Sequence, residues 1–415
     1  MKDGRSVVLV TDADRGSAIA IMRSLGRRGW RVIAADSSPH SVGFRSRYAA
    51  ERVLYPDPAQ DAAGTVETLS HVVRERGVDL LIPVTDDVLL LLAKVRQQFA
   101  GVCRVAMPDD AQLAAVADKG QTLALAQQLG VPVPLSYPVQ TVAEAHEIAG
   151  ELRWPVVVKP QRSRLQQGDS GVAVLEVAYA ASPTDLVRVM SRFEGRCPVL
   201  LQEYCAGVGH GVELLAYEGQ PLAAFQHKRL HEVPITGGAS SLRQSVPLDP
   251  TLYEYSRRLV AALKWTGLIM VEFKVGPGGP RLMEINGRVW GSLPLAVFSG
   301  MDFPARLADL LVNGPPLPLP AAPDSSYRVG VKARNLEKDI VWLLAVLAGR
   351  RRYPFLEAPK RWEALTALPG LFDPRVCSDT FAWDDPRPAL AELPKIARNL
   401  LRKWSKASQG KGETL

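Results

Sequence analysis

Apolar residues in the first hundred positions come in short unbroken runs, separated by longer stretches where they recur every three or four residues. The runs SVVLVT (6–11), WRVIAAD (30–36) and DLLIPV (79–84) predict buried strands, and the periodic stretches 17–29, 65–77 and 86–99 predict helices. Strand and helix in alternation predict a parallel sheet with right-handed crossovers, a Rossmann-like unit over residues 1–112. The pattern then changes. A helix carrying Asp118 and Lys119 runs to Gly130, where VPVP stops it. WPVVVKP (154–160), PVLLQEYC (198–205), GVELLAYEG (211–219) and PLAAFQHKRL (221–230) read as strands, and LYEYSRRLVAALKW (252–265) as a helix. GLIMVEFKV (267–275) and RLMEIN (281–286) read as a hairpin turned by GPGG. Residues 113–315 are therefore expected to form a second, α+β unit, split near residue 197 into a smaller and a larger lobe. A proline-rich stretch (313–323) leads into a C-terminal extension, 316–415.

Length and composition suit two or three packed units: 415 residues, 47% apolar and 22% charged. The longest apolar run, 340–348, is too short for a membrane span, and the first run reads as a buried strand rather than a signal peptide. The four cysteines, at 103, 197, 205 and 377, show neither metal spacing nor a disulfide framework, which suits a reducing cytoplasm. Charge is uneven. From Val331 onward there are sixteen Lys and Arg against ten Asp and Glu, so +6 of the net +7 lies in the last fifth.

A dinucleotide site would need G-x-G-x-x-G after the first strand. The turn there, TDADRGSA (11–18), has one glycine and two aspartates, which sets nicotinamide and flavin aside. The chemistry lies instead in RLMEINGRVWG (281–291). Glu284, Asn286 and Arg288 share one strand face, and Glu272 lies across the hairpin, where antiparallel pairing brings it to Glu284. Two carboxylates and an amide oxygen are hard ligands for magnesium, whose octahedron phosphates and waters complete, and Arg288 offers a fork for anionic oxygens. Lys119 and Lys159 could supply positive charge from the other side of a cleft. Ordinary solvent-facing lysines are the alternative.

In order, Asp118-Lys119, VVVKP, LLQEYC, VEFKV and LMEINGRVWG resemble the ATP-grasp superfamily. More narrowly, they are similar to carboxylate–amine ligases and predicted ligases related to the carbamoyl-phosphate synthetase large subunit, over roughly residues 1–312. The resemblance implies a two-lobed fold behind the Rossmann-like unit. It implies that Lys119 and Lys159 contact nucleotide phosphates, and that Gln202, Glu203, Tyr204 and Cys205 form the hinge gripping adenine. His210 falls at the ribose position, Lys228 at a phosphate contact, and Glu272, Glu284 and Asn286 at the magnesium ligands. Arg288 falls near the transferred phosphoryl group, while Arg229 and Arg243 would receive a substrate carboxylate. The lid of such enzymes corresponds to residues 160–174, where Arg162 and Arg164 accompany only Gly168 and Gly171. TGGAS (236–240) would let backbone approach an anion.

The implied activity is ligation driven by ATP and magnesium, with manganese as a substitute: a carboxylate becomes an acyl phosphate and is joined to an amine. Phosphorylation or carboxylation at the same site is one alternative, and a nucleotide-binding regulatory or scaffold protein with little turnover is another. Small-molecule carboxylates and amines are the expected partners, without nucleic acid, and self-association is left open. In the tail, residues 390–406 place Leu393, Ile396, Leu400 and Trp404 near one helical face. Packing of that face on the protein's own body is the reading taken, with peripheral membrane contact through 386–406 as the alternative.

Overall fold

The computed structural model describes residues 5–161, 164–166, 172–349, 353 and 355–408, without the side chains of 164–166, 172–174 and 403–408. The first unit is a five-stranded parallel sheet in the order Ala49–Leu54, Arg31–Asp36, Val7–Val10, Leu80–Ile82, Arg104–Val105. Its central strand is apolar throughout because both faces are covered. Val8 and Val10 pack with helix Gly16–Arg27, whereas Val7 and Leu9 pack with helices Ala62–Arg76 and Asp86–Lys94. Asp36, which ends strand Arg31–Asp36, accepts from the amides of Asp14 (2.7 Å) and Ser38 (2.8 Å), shaping the turn after the first strand.

A four-stranded antiparallel sheet follows, in the order Ala178–Ala180, Val156–Pro160, Val199–Glu203, Ser136–Val139. Strand Val199–Glu203 lies inside this sheet, so the smaller lobe runs past the boundary expected at residue 197. The single helix expected around Asp118 is two helices, Asp110–Ala117 and Lys119–Gln128. Asp118 sits between them in extended conformation and caps the second through the amides of Gly120 and Gln121.

The largest sheet has seven strands: Gly279–Asn286, Gly267–Gly276, Val208–Tyr217, Gln220–Val233, Ala239–Ser245, Lys332–Arg334 and Val376–Ser378. One face is apolar and packs on helix Pro250–Ala262, with Val212, Leu214, Ile269, Val271 and Phe273 around the wholly buried Trp265. Part of the other face joins the core under the first unit, where Phe225 and Met270 share a cluster with Val8, Ile21, Trp290 and Phe303. The rest of that face is polar and forms the floor of a cavity.

The boundary expected at residue 316 cuts through this sheet, because the last two strands come from the extension. The extension also grips the first unit. Arg23, 3% exposed, bonds through Nε to Asp385 Oδ2 (2.9 Å) and through its terminal nitrogen to the carbonyls of Thr380 (2.7 Å) and Asp385 (2.8 Å). Gly16 is required at this junction, since a Cβ there would lie 2.7 Å from Asp379 Cβ. Among the described residues no helix is long and apolar enough to cross a membrane.

Candidate nucleotide and metal site

The cavity, about 840 Å³, lies between the smaller sheet, the polar face of the larger one, the turn Asp14–Ser17 and the C-terminal extension. Its catalytic-looking end is built by the hairpin. Glu272 and Glu284 stand opposite each other in register, and Asn286 Nδ2 donates to Glu272 Oε1 (3.0 Å) and Glu284 Oε1 (3.4 Å). Arg229, two strands away, reaches across strand Val208–Tyr217 to bond the other oxygen of Glu272 and also reaches Glu232 Oε1 (3.2 Å). Burial is the main reason that Glu272 is pushed up to about 7; Arg229 opposes the rise and the Glu284 charge adds to it. Two facing carboxylates, one of them reluctant to ionise, and an amide that can turn its oxygen inward form a donor set suited to a hard divalent cation.

The side chains of Arg229 and His227 reach this face because the adjoining strand carries glycines. A Cβ at Gly209 would lie 2.8 Å from Arg229 Cδ, and one at Gly211 2.4 Å from the His227 ring. His227 Nδ1 lies 3.0 Å from Glu213 Oε1, an oxygen that accepts from Ser292 Oγ (2.8 Å), and both His227 and Glu213 are wholly buried.

Arg288 comes off the end of the hairpin strand and points toward the first unit. Its Nε donates to Asp86 Oδ2 (2.8 Å) and its terminal nitrogen to the Val289 carbonyl (2.9 Å). Across the cavity, Lys159 is held by strand Val156–Pro160, opposite Leu200. Burial lowers its pKa; Lys119 pushes the same way, and Glu284 and Glu272 push back. Lys119 reaches this neighbourhood because it opens its helix at the cap, with its amide 3.5 Å from the Gln161 carbonyl. Gln202, Glu203, Tyr204 and Cys205 all line the cavity. Gln202 and Glu203 spend their side chains on the smaller sheet, Gln202 Nε2 on Ser136 Oγ (2.9 Å) and Glu203 Oε1 on the Leu135 amide (3.0 Å). Their backbone is engaged as well: Gln202 pairs with Ser136 and Val157, Glu203 pairs with Val156, and the Glu203 amide donates to the Leu135 carbonyl (2.9 Å).

Two expected residues are misplaced. His210 and Lys228 pair with each other in register but project from the opposite, helix-packed face of the sheet. Strand alternation puts their neighbours His227 and Arg229 on the cavity side instead. His210 Nδ1 meets Gln226 Nε2 (3.1 Å) there, and burial, aided by His227 and Lys228, drives its pKa down to about 4. Neither His210 nor Lys228 lines the cavity. Arg229 and Arg243 do, each tied to a carboxylate, Glu272 and Asp379 respectively. In the TGGAS turn, Gly238 is required by the chain's own packing, since a Cβ would meet the Val233 carbonyl oxygen at 2.4 Å. Arg162, Gly168 and Gly171 of the expected lid, and the side chains of Arg164 and Trp404, lie outside the described residues.

The other end of the cavity was not foreseen. It is walled by Asp14 to Ser17 from the first unit and by Asn335, Lys338, Asp379, Lys395 and Asn399 from the extension. A signal for Asp14, Arg15 and Asp86 existed: all three follow the carboxyl ends of parallel strands, where open α/β sheets bind ligands. For the extension no motif was available.

These sheets, with the cavity between them, make the ATP-grasp fold. Similar folds occur in biotin carboxylase from Campylobacter jejuni, in complex with β,γ-ATP (TM-score 0.59, 17% identity, 79% of this chain and 74% of that one). N5-carboxyaminoimidazole synthetase from Staphylococcus aureus (0.59, 13%, 84% and 86%) and L-amino acid ligase from Bacillus licheniformis (0.55, 15%, 75% and 75%) are also similar. Residues 196–334 match the family described as ATP-grasp in the biosynthetic pathway with Ter operon. The chain's sequence is 27% identical over 319 residues to the carbamoyl phosphate synthase large chain of Rubrobacter xylanophilus, covering 74% of this chain and 28% of that one. To the large chain of Thermus thermophilus it is 26% identical over 306 residues, covering 70% and 28%. The chain thus spans less than a third of the length of these relatives.

Proposed function

We propose that the protein is an ATP- and magnesium-dependent ligase that activates a carboxylate as its acyl phosphate and joins it to an amine. The observation that carries this reading is the convergence of Glu272, Glu284, Asn286, Arg288 and Lys159 in one cavity. Glu272, Glu284 and Asn286 would hold the magnesium, whose positive charge screens the phosphate oxygens when it is bound. A structure of similar fold is described in complex with MgADP and bicarbonate, which supports a magnesium–nucleotide site in this fold.

In the proposed reaction a substrate carboxylate oxygen attacks the γ-phosphorus of ATP, the bond to the bridging oxygen breaks, and ADP leaves. The amine nitrogen then attacks the acyl carbon, the carbon–oxygen bond to phosphate breaks, and the amine loses a proton. Lys159, which lines the cavity, and Lys119 near it would meet phosphate oxygens. Arg288, steadied by Asp86, is placed to bind the oxygens on which charge builds up in the first step. Backbone at Tyr204 and Cys205, just beyond the last paired residue of strand Val199–Glu203, would hold the base. The end of the cavity walled by Asp14–Ser17 and the extension would hold the carboxylate and amine, with Arg243, Lys338 and Arg15 supplying positive charge. The fold is shared by enzymes whose names describe carboxylation and by one that ligates amino acids, so the nucleophile is the finer part of the proposal.

The test is thermal unfolding with ATP, with and without magnesium, followed by phosphate release across carboxylate and amine pairs. At a hundred times the dissociation constant, MgATP should stabilise by about 2.7 kcal/mol. Phosphate release that needs both an acid and an amine supports ligation. Binding without release under any pair would favour the regulatory reading, and no magnesium-dependent binding would end both.

A further inference from the structure

The helix Arg387–Ser408 has three faces. Its docked face buries Pro388, Glu392 and Ile396 and brings Lys395 and Asn399 to the cavity, with Lys395 paired to Asp14. Leu393, which sequence pattern grouped with Ile396, lies outside that contact. Leu390, Leu393 and Leu401 are 64%, 52% and 64% exposed. At helical spacing these three, with Pro394 and Ala397, fall on one arc of about 100°. Arg387, Arg398 and Arg402, all exposed, occupy the next arc. The outward surface is therefore an apolar strip bordered along its length by guanidinium groups.

The surroundings have the same character. Trp383, 90% exposed, stands just before the helix. Among the described residues every exposed phenylalanine or tryptophan lies in the extension: Phe355, Trp362, Phe372 and Trp383. The helix itself holds six Lys and Arg against one Glu, within a segment that carries nearly all of the net charge of the chain.

We propose that this helix lies on the surface of an anionic lipid bilayer, its leucine strip at the acyl boundary and its arginines against headgroup phosphates. An apolar strip flanked by cations, in a helix too polar to span, fits such an interface. Juxtaposed basic residues then select anionic lipid, and tryptophan is at home at headgroup depth. A second copy of this chain would bring the same positive surface against itself, and charge complementarity disfavours that occupant.

The experiment is co-sedimentation of the full chain with vesicles of phosphatidylcholine alone and of phosphatidylcholine with phosphatidylglycerol, at low and high salt. Wild type should bind the anionic vesicles about tenfold more strongly than the neutral ones, and less at high salt. Leu390→Gln/Leu393→Gln/Leu401→Gln should lose about tenfold in binding. Arg398→Gln/Arg402→Gln should lose the preference for phosphatidylglycerol. An unchanged thermal shift with MgATP would show that the variants are folded, and it reports on the nucleotide site separately. Failure of wild type to bind anionic vesicles at low salt overturns the proposal, as does equal binding by the leucine variant. Loss of a dimer in the leucine variant, with vesicle binding intact, would assign the strip to self-association instead.

Discussion

Asp385 and Glu272 are both carboxylates taken out of water, and the chain surrounds them in opposite ways. Asp385 accepts from Arg23 Nε (2.9 Å), Ser46 Oγ (2.7 Å) and the Arg47 amide (2.8 Å), so both oxygens are filled and its charge is matched. Glu272 has Arg229 and Asn286, but it also faces Glu284, and its proton is held to about pH 7. A buried ion pair with every lone pair answered is a fastening. Two carboxylates pressed together are costly unless a cation completes them, and such unfinished arrangements mark sites of chemistry. The difference separates what holds the extension in place from what the cavity is for.

The comparison can be broken at either member. Asp385→Asn leaves Arg23 buried and half-partnered, and should cost about 4 kcal/mol in urea unfolding. A loss under about 1 kcal/mol would mean that the extension is not fastened there. Glu284→Gln should do the reverse. Turnover should fall about a hundredfold as the proposed magnesium ligand is lost, while the metal-free protein keeps or gains stability because Glu272 sheds a like-charged neighbour. If instead it unfolds as easily as the Asp385 variant, the hairpin carboxylates are structural.

A smaller effect sharpens the site. Asp86→Ala frees Arg288 from its anchor and should lower kcat about tenfold, with the MgATP thermal shift retained. Unchanged kcat would remove Asp86 from any positioning role. The smallest prediction concerns His210, whose pKa is depressed to about 4 by burial together with His227 and Lys228, against the pull of Asp249. A base with a depressed folded pKa contributes its stability above the unfolded value near 6.5 and loses it as the pH falls toward 4. From pH 7 to pH 5 wild type should therefore lose about 1 kcal/mol, allowing for partial exposure, that His210→Gln does not. Parallel losses in the two proteins would refute the assignment.

The residues that sequence placed well are those where local periodicity decides geometry. Glu284, Asn286 and Glu272 share a face because a hairpin with a short turn leaves little choice of register. Lys228 and His210 rest on the resemblance and not on alternation, and both fall on the wrong face: in an apolar-and-basic stretch such as FQHKRLH neither face advertises itself as the core. Gly209 and Gly211 were the available clue, since bare positions on one face make room for Arg229 and His227. The extension was illegible for a different reason. Its contribution depends on contacts such as Arg23 with Asp385 and Lys395 with Asp14, which join the two ends of the chain and leave no periodic trace.

The cavity wall has an order of assembly. Its residues run from Asp14 to Asn399, so a growing chain can fold its first sheet and the hairpin with Glu272 and Glu284 well before the last wall exists. At ordinary rates of synthesis, the hundred or so residues between Arg288 and Asn399 take roughly 5–20 seconds to emerge. During that interval the carboxylate hairpin faces water without its closing helix, and a ligand held there could still leave by the missing side. Newly made chains should gain retention of a ligand in this cavity late and abruptly, when the helix that carries Lys395 and Asn399 docks.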